Sequence, residues 1–330
     1  MVSTGPSPAP PIGSASPVPD EIATFALADL AGDPGWRRPV VAERELLILT
    51  TRGHGDAELD FHRLPCRPGT LLRVRAGQVL RCAGPQFDAT VVSWDAEALR
   101  GFDVDLAAPV TWRQLAGEDE DAVITEVSQL AVDCQRHPGG RTARALLRHQ
   151  LAVLLLRLTL AGVDRSTSRP EDETFHRFCQ EVEHGYPRTR RVEDYAAALR
   201  CSVRTLTRAC LAVTGRSAKQ VIDERVALQA GRLLAATDQP IAQIGRELGF
   251  SEPTNFGRFF TREVGVSPGA FRAARDQPVT GRVVRPRPPV EPTGVNGGRF
   301  RPGALGEPAN GGHAGSSGSP TGPARGTGRA

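Results

Sequence analysis

The chain has almost no lysine: of its 41 basic residues only Lys219 is one. That reads first as a coding bias toward arginine and only weakly as function. No apolar stretch reaches the ~18 residues a membrane helix needs, since the best run, Leu151 to Gly162, is broken by Arg157. The opening MVSTGPSPAPPIG has neither a basic nor an apolar leader segment, so no signal peptide is expected and the expected setting is the cytoplasm, with no membrane partner. Cys66, Cys82, Cys134, Cys179, Cys201 and Cys210 are scattered with no CxxC pair. That spacing disfavours a zinc site and predicts reduced, mostly buried thiols that act as small hydrophobes. No nucleophile–base pair, phosphate-binding loop or cofactor fingerprint stands out, so no catalytic residue, metal ligand or cofactor is expected.

What is present fits a soluble globular chain of more than one domain: 330 residues, 39% hydrophobic and 24% charged. Residues 1–19 are Pro, Ser, Ala and Gly without periodicity, and residues 276–330 hold 13 Gly and 9 Pro. Both segments are predicted to be disordered, the second as a solubilising extension or a phosphate-touching arm. The net charge of +4 is uneven: residues 1–171 carry 18 basic and 22 acidic groups, and residues 172–275 carry 16 and 12. The second block is mildly basic, which permits nucleic-acid binding without establishing it.

Between these ends the patterning changes twice, giving an α+β multidomain chain. Residues 20–115 contain short apolar or alternating runs (Val40-Val41, Leu46 to Leu49, Leu71 to Val74, Ala89 to Trp94), separated by turn chemistry such as Arg67-Pro68-Gly69-Thr70. Strands at such spacing predict a small antiparallel barrel or sandwich. Residues 116–165 take the helical period in two segments broken at His137-Pro138-Gly139-Gly140, and the second is dense in leucine from Leu146 to Leu158. A helical hairpin follows, whose surplus apolar surface either packs on the β domain or forms a homodimer contact.

Residues 172–275 read as helix throughout. Ser202 is a good N-cap for a helix through Leu206 and Cys210 that Gly215 ends. Ser217 can cap a long helix to about Thr237, Pro240 opens another at a first-turn position, and Ser267-Pro268 starts the last. The order short helix, turn, helix occurs twice, at about 192–213 and 240–265. Each second helix follows a turn with a small cap residue and exposes polar groups at its start, as entry into a DNA major groove requires. The first exposes Arg204, Thr205, Thr207 and Arg208; the other exposes Thr254, Asn255 and Arg258. Arginine suits a guanine edge, asparagine an adenine edge, and threonine an edge or a thymine methyl. The long helix between them spans roughly 30 Å, close to one turn of B-DNA at ~34 Å.

Several short motifs stand in these helices: Leu206-Thr207-Arg208, Thr214-Gly215, Arg232-Leu233-Leu234, Ile241-Ala242-Gln243-Ile244-Gly245, Leu248-Gly249-Phe250, Asn255 to Phe260 and Gly265 to Arg272. In this order and at these intervals, over about 100 residues near 175–275, the chain resembles the C-terminal domain of AraC/XylS-type transcription regulators. The resemblance implies a homeodomain-like double helix-turn-helix domain that binds adjacent major grooves of double-stranded DNA, with base-reading positions at Arg204, Thr207, Arg208, Thr254, Asn255 and Arg258. It also implies a small-molecule effector, a homodimer and contact with RNA polymerase. More weakly, Pro68 to Val79 resembles the strand–turn–strand of the cupin-like sensor barrel that many members carry, although Ala76 replaces a common proline and Leu80 a common histidine. Of possible metal ligands only His54 and His62 lie nearby, with no HxH, which fits a sensor better than a metal-dependent cupin enzyme fused to a helical domain. A nonspecific architectural DNA binder using the arginine-bearing tail is the other alternative, and the two separately capped reading helices argue against it.

Overall fold

The computed structural model describes residues 22–31, 36, 38–82, 87–104, 111–160 and 170–275. The two terminal segments expected to be disordered, 1–19 and 276–330, lie outside the described residues. The described N-terminal strands are β1 (Ala23–Ala26), β2 (Val40–Val41), β3 (Glu45–Gly53), β4 (Gly55–Leu59), β5 (His62–Cys66), β6 (Thr70–Val74), β7 (Val79–Cys82), β8 (Phe87–Trp94) and β9 (Trp112–Gln114). They form two antiparallel sheets, of order β1-β8-β3-β6-β9 and β2-β7-β4-β5.

The apolar runs that mark β3, β6 and β8 are continuous because their sheet is covered on both faces. Leu46, Ile48, Leu72 and Val91 face the second sheet. Alternate residues Leu47, Leu49, Leu71 and Val92 meet helices α1 (Glu118–Arg136) and α2 (Arg141–Leu160) on the other side. The expected barrel does not close. Among the described residues no backbone ladder joins the sheets, and a two-residue β2 and three-residue β9 at their edges are too short to carry the tilt and stagger of a closed barrel. At one edge a side chain spans the gap, Trp112 Nε1 donating to the Pro65 carbonyl at 2.9 Å.

The helical hairpin forms as its period predicts, but its leucines divide. Leu147, Leu151, Leu154, Leu155 and Leu158 are buried, whereas Leu146, Val153, Leu156 and Leu160 stay exposed along one stripe. From residue 170 the chain is helical: α3 (Pro170–Gly185), α4 (Val192–Ala198), α5 (Val203–Thr214), α6 (Ala218–Ala236), α7 (Ile241–Glu247), α8 (Pro253–Val264) and α9 (Pro268–Arg275). Their common core surrounds α6, which is buried on nearly every side.

A β hairpin reaches into that core. β4 and β5 are joined by Asp60 and Phe61, both at positive φ (47° and 71°), the pair of left-handed residues that a tight two-residue hairpin turn demands. Asp60 accepts from Arg232 Nε and Nη2 on α6 at 2.8 and 2.6 Å, from Gln78 Nε2 at 2.7 Å and from the Val79 amide at 3.1 Å. Phe61 is 1% exposed. Its ring meets Phe271 edge-on with centroids 5.3 Å apart, and the Arg275 guanidinium stands 4.6 Å from its centroid. A Cβ added at Gly231 would lie only 3.0 Å from the Phe61 ring, so the bare backbone of α6 is what admits it. Glu58 pairs with Arg275 beside it.

Candidate nucleic-acid interface

The α4–α5 and α7–α8 turns are built alike. After α4, the Cys201 amide donates to the Ala196 carbonyl and the Arg200 amide to that of Ala197; after α7, Phe250 and Gly249 do the same to Gly245 and Arg246. These six-to-one closures need a left-handed residue. Gly249 supplies it without strain at φ 78°, while Arg200 adopts φ 54° in the first turn.

The helices that follow differ in their caps. Ser202 accepts from the Thr205 amide at 3.0 Å, as expected. The residue before α8 is instead Glu252, whose side chain makes no capping bond, and Pro253 at the first helical position defines the start. Pro240 likewise sits one place earlier than expected, as the cap of α7. Ser217 caps α6, its hydroxyl accepting from the Gln220 amide while its own amide donates to Gln220 Oε1, and Gly215 ends α5 at φ 70°.

Leu206, Ala209 and Cys210 anchor α5, and Phe256, Phe259 and Phe260 anchor α8. Burial pushes the Cys210 thiol up to about 12, so it stays a neutral packing group. Anchoring those faces turns the opposite ones outward. Arg204 and Arg208 are exposed and Thr207 half-buried on α5; Thr254, Asn255 and Arg258 are all exposed on α8. Thr205 is drawn aside, its hydroxyl 2.8 Å from that of Ser202 in the cap.

Ion pairing separates these arginines from several others of the domain. Arg216, Arg225, Arg232, Arg262 and Arg275 are each bound to a carboxylate. Arg204, Arg208 and Arg258 make no ion pair among the described residues. A cation left fully hydrated on a helix face keeps its charge and its donors for another molecule. α6 holds the two helices apart. Its 19 residues rise ~28 Å.

Further cationic groups lie close by that the motif reading passed over. Arg188, Arg190 and Arg191, in the segment before α4, share one open cleft with Lys219, Arg258 and Arg262. The run Arg188-Thr189-Arg190-Arg191 was the available sequence signal, a local cluster of charge at a helix start. In the sandwich, His54 is exposed just before β4, whereas His62 pairs with Leu59 at its far end. No group of three or more His, Cys, Asp or Glu side chains suited to a metal ion occurs among the described residues. Nor is any described helix long and apolar enough to cross a membrane.

The sequence matches the helix-turn-helix domain family over residues 195–274. It is 26% identical over 248 residues to the arabinose operon regulatory protein of Salmonella typhimurium, covering 72% of this chain and 86% of that one. It is also 26% identical over 171 residues to the HTH-type transcriptional activator RhaS of an Enterobacter species, covering 51% and 59% respectively. The C-terminal domain is of the AraC type. A solved transcriptional regulator with an AraC-type DNA-binding domain, from Chromobacterium violaceum, is 25% identical, with 32% of this chain and 95% of that chain aligned and a TM-score of 0.31. The match begins at Tyr195 in α4 and ends in α9. It takes in both helix pairs of the AraC-type domain and leaves α3 and the Arg188–Arg191 run outside. The curated relatives are transcription regulators, and DNA-binding regulation is the activity they support for this chain.

Proposed function

We propose that this protein is a sequence-specific regulator of transcription that reads two adjacent major grooves, one through α5 and the other through α8. The observation that carries the reading is the set of unpaired arginines, Arg204, Arg208 and Arg258, on outward faces of two helices held apart by a buried linker of ~28 Å, against a B-DNA turn of ~34 Å. Arg204, Thr207 and Arg208 contact one box, with Thr205 fixing the helix start; Thr254, Asn255 and Arg258 contact the other. We assign no catalytic role. The sandwich at 20–115 is the effector-sensing domain, the hairpin at 116–165 the dimer contact, and residues 172–275 the DNA reader, acting in the cytoplasm on promoter DNA.

The test begins by selecting bound sequences from a random duplex pool. Arg208→Ala and Arg258→Ala should each weaken binding to the selected site by about 1–3 kcal/mol and relax the sequence preference in one box only. Unchanged affinity in both variants, with intact thermal unfolding, would remove the assignment.

The dimer reading has its own test. Leu146, Val153 and Leu160 recur every seven residues, with Leu156 between them, and all four are exposed on α2. That is the seam spacing of a two-helix contact. Val153→Glu and Leu156→Glu should convert a dimer into a monomer in sedimentation at micromolar concentration, without loss of helicity. A wild-type chain that sediments as a monomer would overturn it. Leu151 and Leu155 are unsuitable probes, because both are core residues under 5% exposed.

A further inference from the structure

Beside α8 lies an open cleft of about 840 Å³. One wall is the segment Tyr186 to Arg191, the other is α8, and Lys219 and Asp223 on α6 line it between them. Six cationic side chains and a single carboxylate line it, in a domain whose overall excess of positive charge is small. Asp223 is already engaged by Lys219 and Arg262. Arg188, Arg190, Arg191 and Arg258 form no ion pair with that carboxylate, although its charge acts on Arg190 from farther off. Outside the cleft, Arg191 makes one solvent-exposed pairing, with Glu193 at 3.7 Å.

The cationic wall is held in place before any ligand arrives. The Arg188 and Thr189 amides both donate to the Gly185 carbonyl, and the Tyr195 hydroxyl donates to the Thr189 carbonyl at 2.9 Å. The Arg190 guanidinium lies 3.7 Å from the centroid of the Phe250 ring and donates to the Gly249 carbonyl. Burial lowers its pKa, with the Asp223 charge acting the other way. Arg190, partly dehydrated against the Phe250 ring, places a fixed positive charge in the cleft to which the exposed cations around it add. The far wall carries Asn255 and Arg258, so the cleft continues the outward face of α8 toward the segment that leads into α4.

We propose that this cleft seats the sugar-phosphate backbone of the duplex flanking the box that α8 faces, with Arg188, Arg190, Arg191 and Lys219 as phosphate contacts outside the helix-turn-helix pairs. The inference rests on the two-groove reading above. Phosphates entering here replace the counterions that these cations otherwise attract, a contact that adds affinity and register but no base preference.

Lys219 makes the test direct, because it carries the only ε-amine in the chain. The full-length protein is treated with an amine-acetylating ester, with and without a saturating 30-base-pair duplex, and modification is read by mass spectrometry. DNA should slow acetylation at Lys219 at least about fivefold and leave the N-terminal amine unaffected; equal rates at Lys219 would overturn the proposal. In a second arm, R188Q/R191Q is titrated against a nonspecific duplex over a range of salt. The slope of log K against log salt should shrink by about 2, near 0.9 for each phosphate no longer neutralised, while R141Q on α2 keeps the wild-type slope. A wild-type slope in R188Q/R191Q would overturn the proposal even if R208A and R258A lose their boxes. If instead the slope shrinks and those two variants keep full site preference, the backbone seat stands and the two-groove reading fails.

Discussion

Arg232→Met should destabilise the folded chain by about 3–5 kcal/mol, among the largest effects of any single substitution here. The guanidinium it removes is 2.8 and 2.6 Å from the Asp60 oxygens, and both side chains are under 10% exposed. An ion pair so deeply placed adds little net stability over an apolar pair. Removing one member, however, leaves a buried charge without its counter-ion, which is the costly case. Gln78 and the Val79 amide still hold Asp60, which keeps the penalty at the lower end. In thermal unfolding the midpoint should drop on the order of 10 °C. Asp60→Ala combined with Arg232→Met should recover at least half of the loss, because no orphan charge remains. A single substitution costing under about 1 kcal/mol would mean that the pair is hydrated in solution and that the hairpin tip is not seated.

Five base pairs inserted between the two boxes should reduce binding to nearly the nonspecific level, a loss of about a thousandfold or more. Half a helical turn carries one box to the opposite face of the duplex. The protein has no means to follow. α6 has Val221, Ile222, Val226, Ala230 and Leu234 in the core and its charged Arg225 and Arg232 tied to Glu183 and Asp60, so bending it would break contacts all round. Ten base pairs restore the face but add ~34 Å, beyond a ~28 Å linker, and binding should remain weak. Gel-shift titration with the three spacings decides it. Full affinity at the five-base-pair spacing would show that one helix pair alone reads DNA and that the other is a packing partner.

α5, α6 and α8 were legible in the sequence because local chemistry specifies them. Ser202, Gly215 and Ser217 act on backbone groups within a few residues, and the phenylalanines of α8 recur at the helical period. The sandwich was legible only where a strand is buried on both faces, as in β3, β6 and β8. β4, β5 and β7 mix Glu58, Arg63 and Arg81 with apolar residues, and their turn is Asp60-Phe61 rather than the Asn-Gly or Asp-Gly pair that signals a hairpin. The most consequential contact had no signature at all. Asp60 and Arg232 stand 172 positions apart, and a lone acid and a lone base carry no periodicity to connect them. The Arg188–Arg191 run was visible as charge, yet only the structure shows that it faces Arg258 and Arg262 across a cleft.

Phe61 belongs by chain to the sandwich and by packing to the helical core, and this has a thermodynamic consequence. Withdrawing the hairpin tip would open a hole among Gly231, Phe271 and Arg275 and strand Arg232, so its seating and the arrangement of α6 and α9 share one free energy. If DNA binds the seated and withdrawn states with different affinity, a ligand of the sandwich that shifts the tip changes DNA affinity by a definite factor. Reciprocity then obliges DNA to change the affinity for that ligand by the same factor. The tip lies against α6, so its seating is felt by the same buried helix that links the two helix pairs.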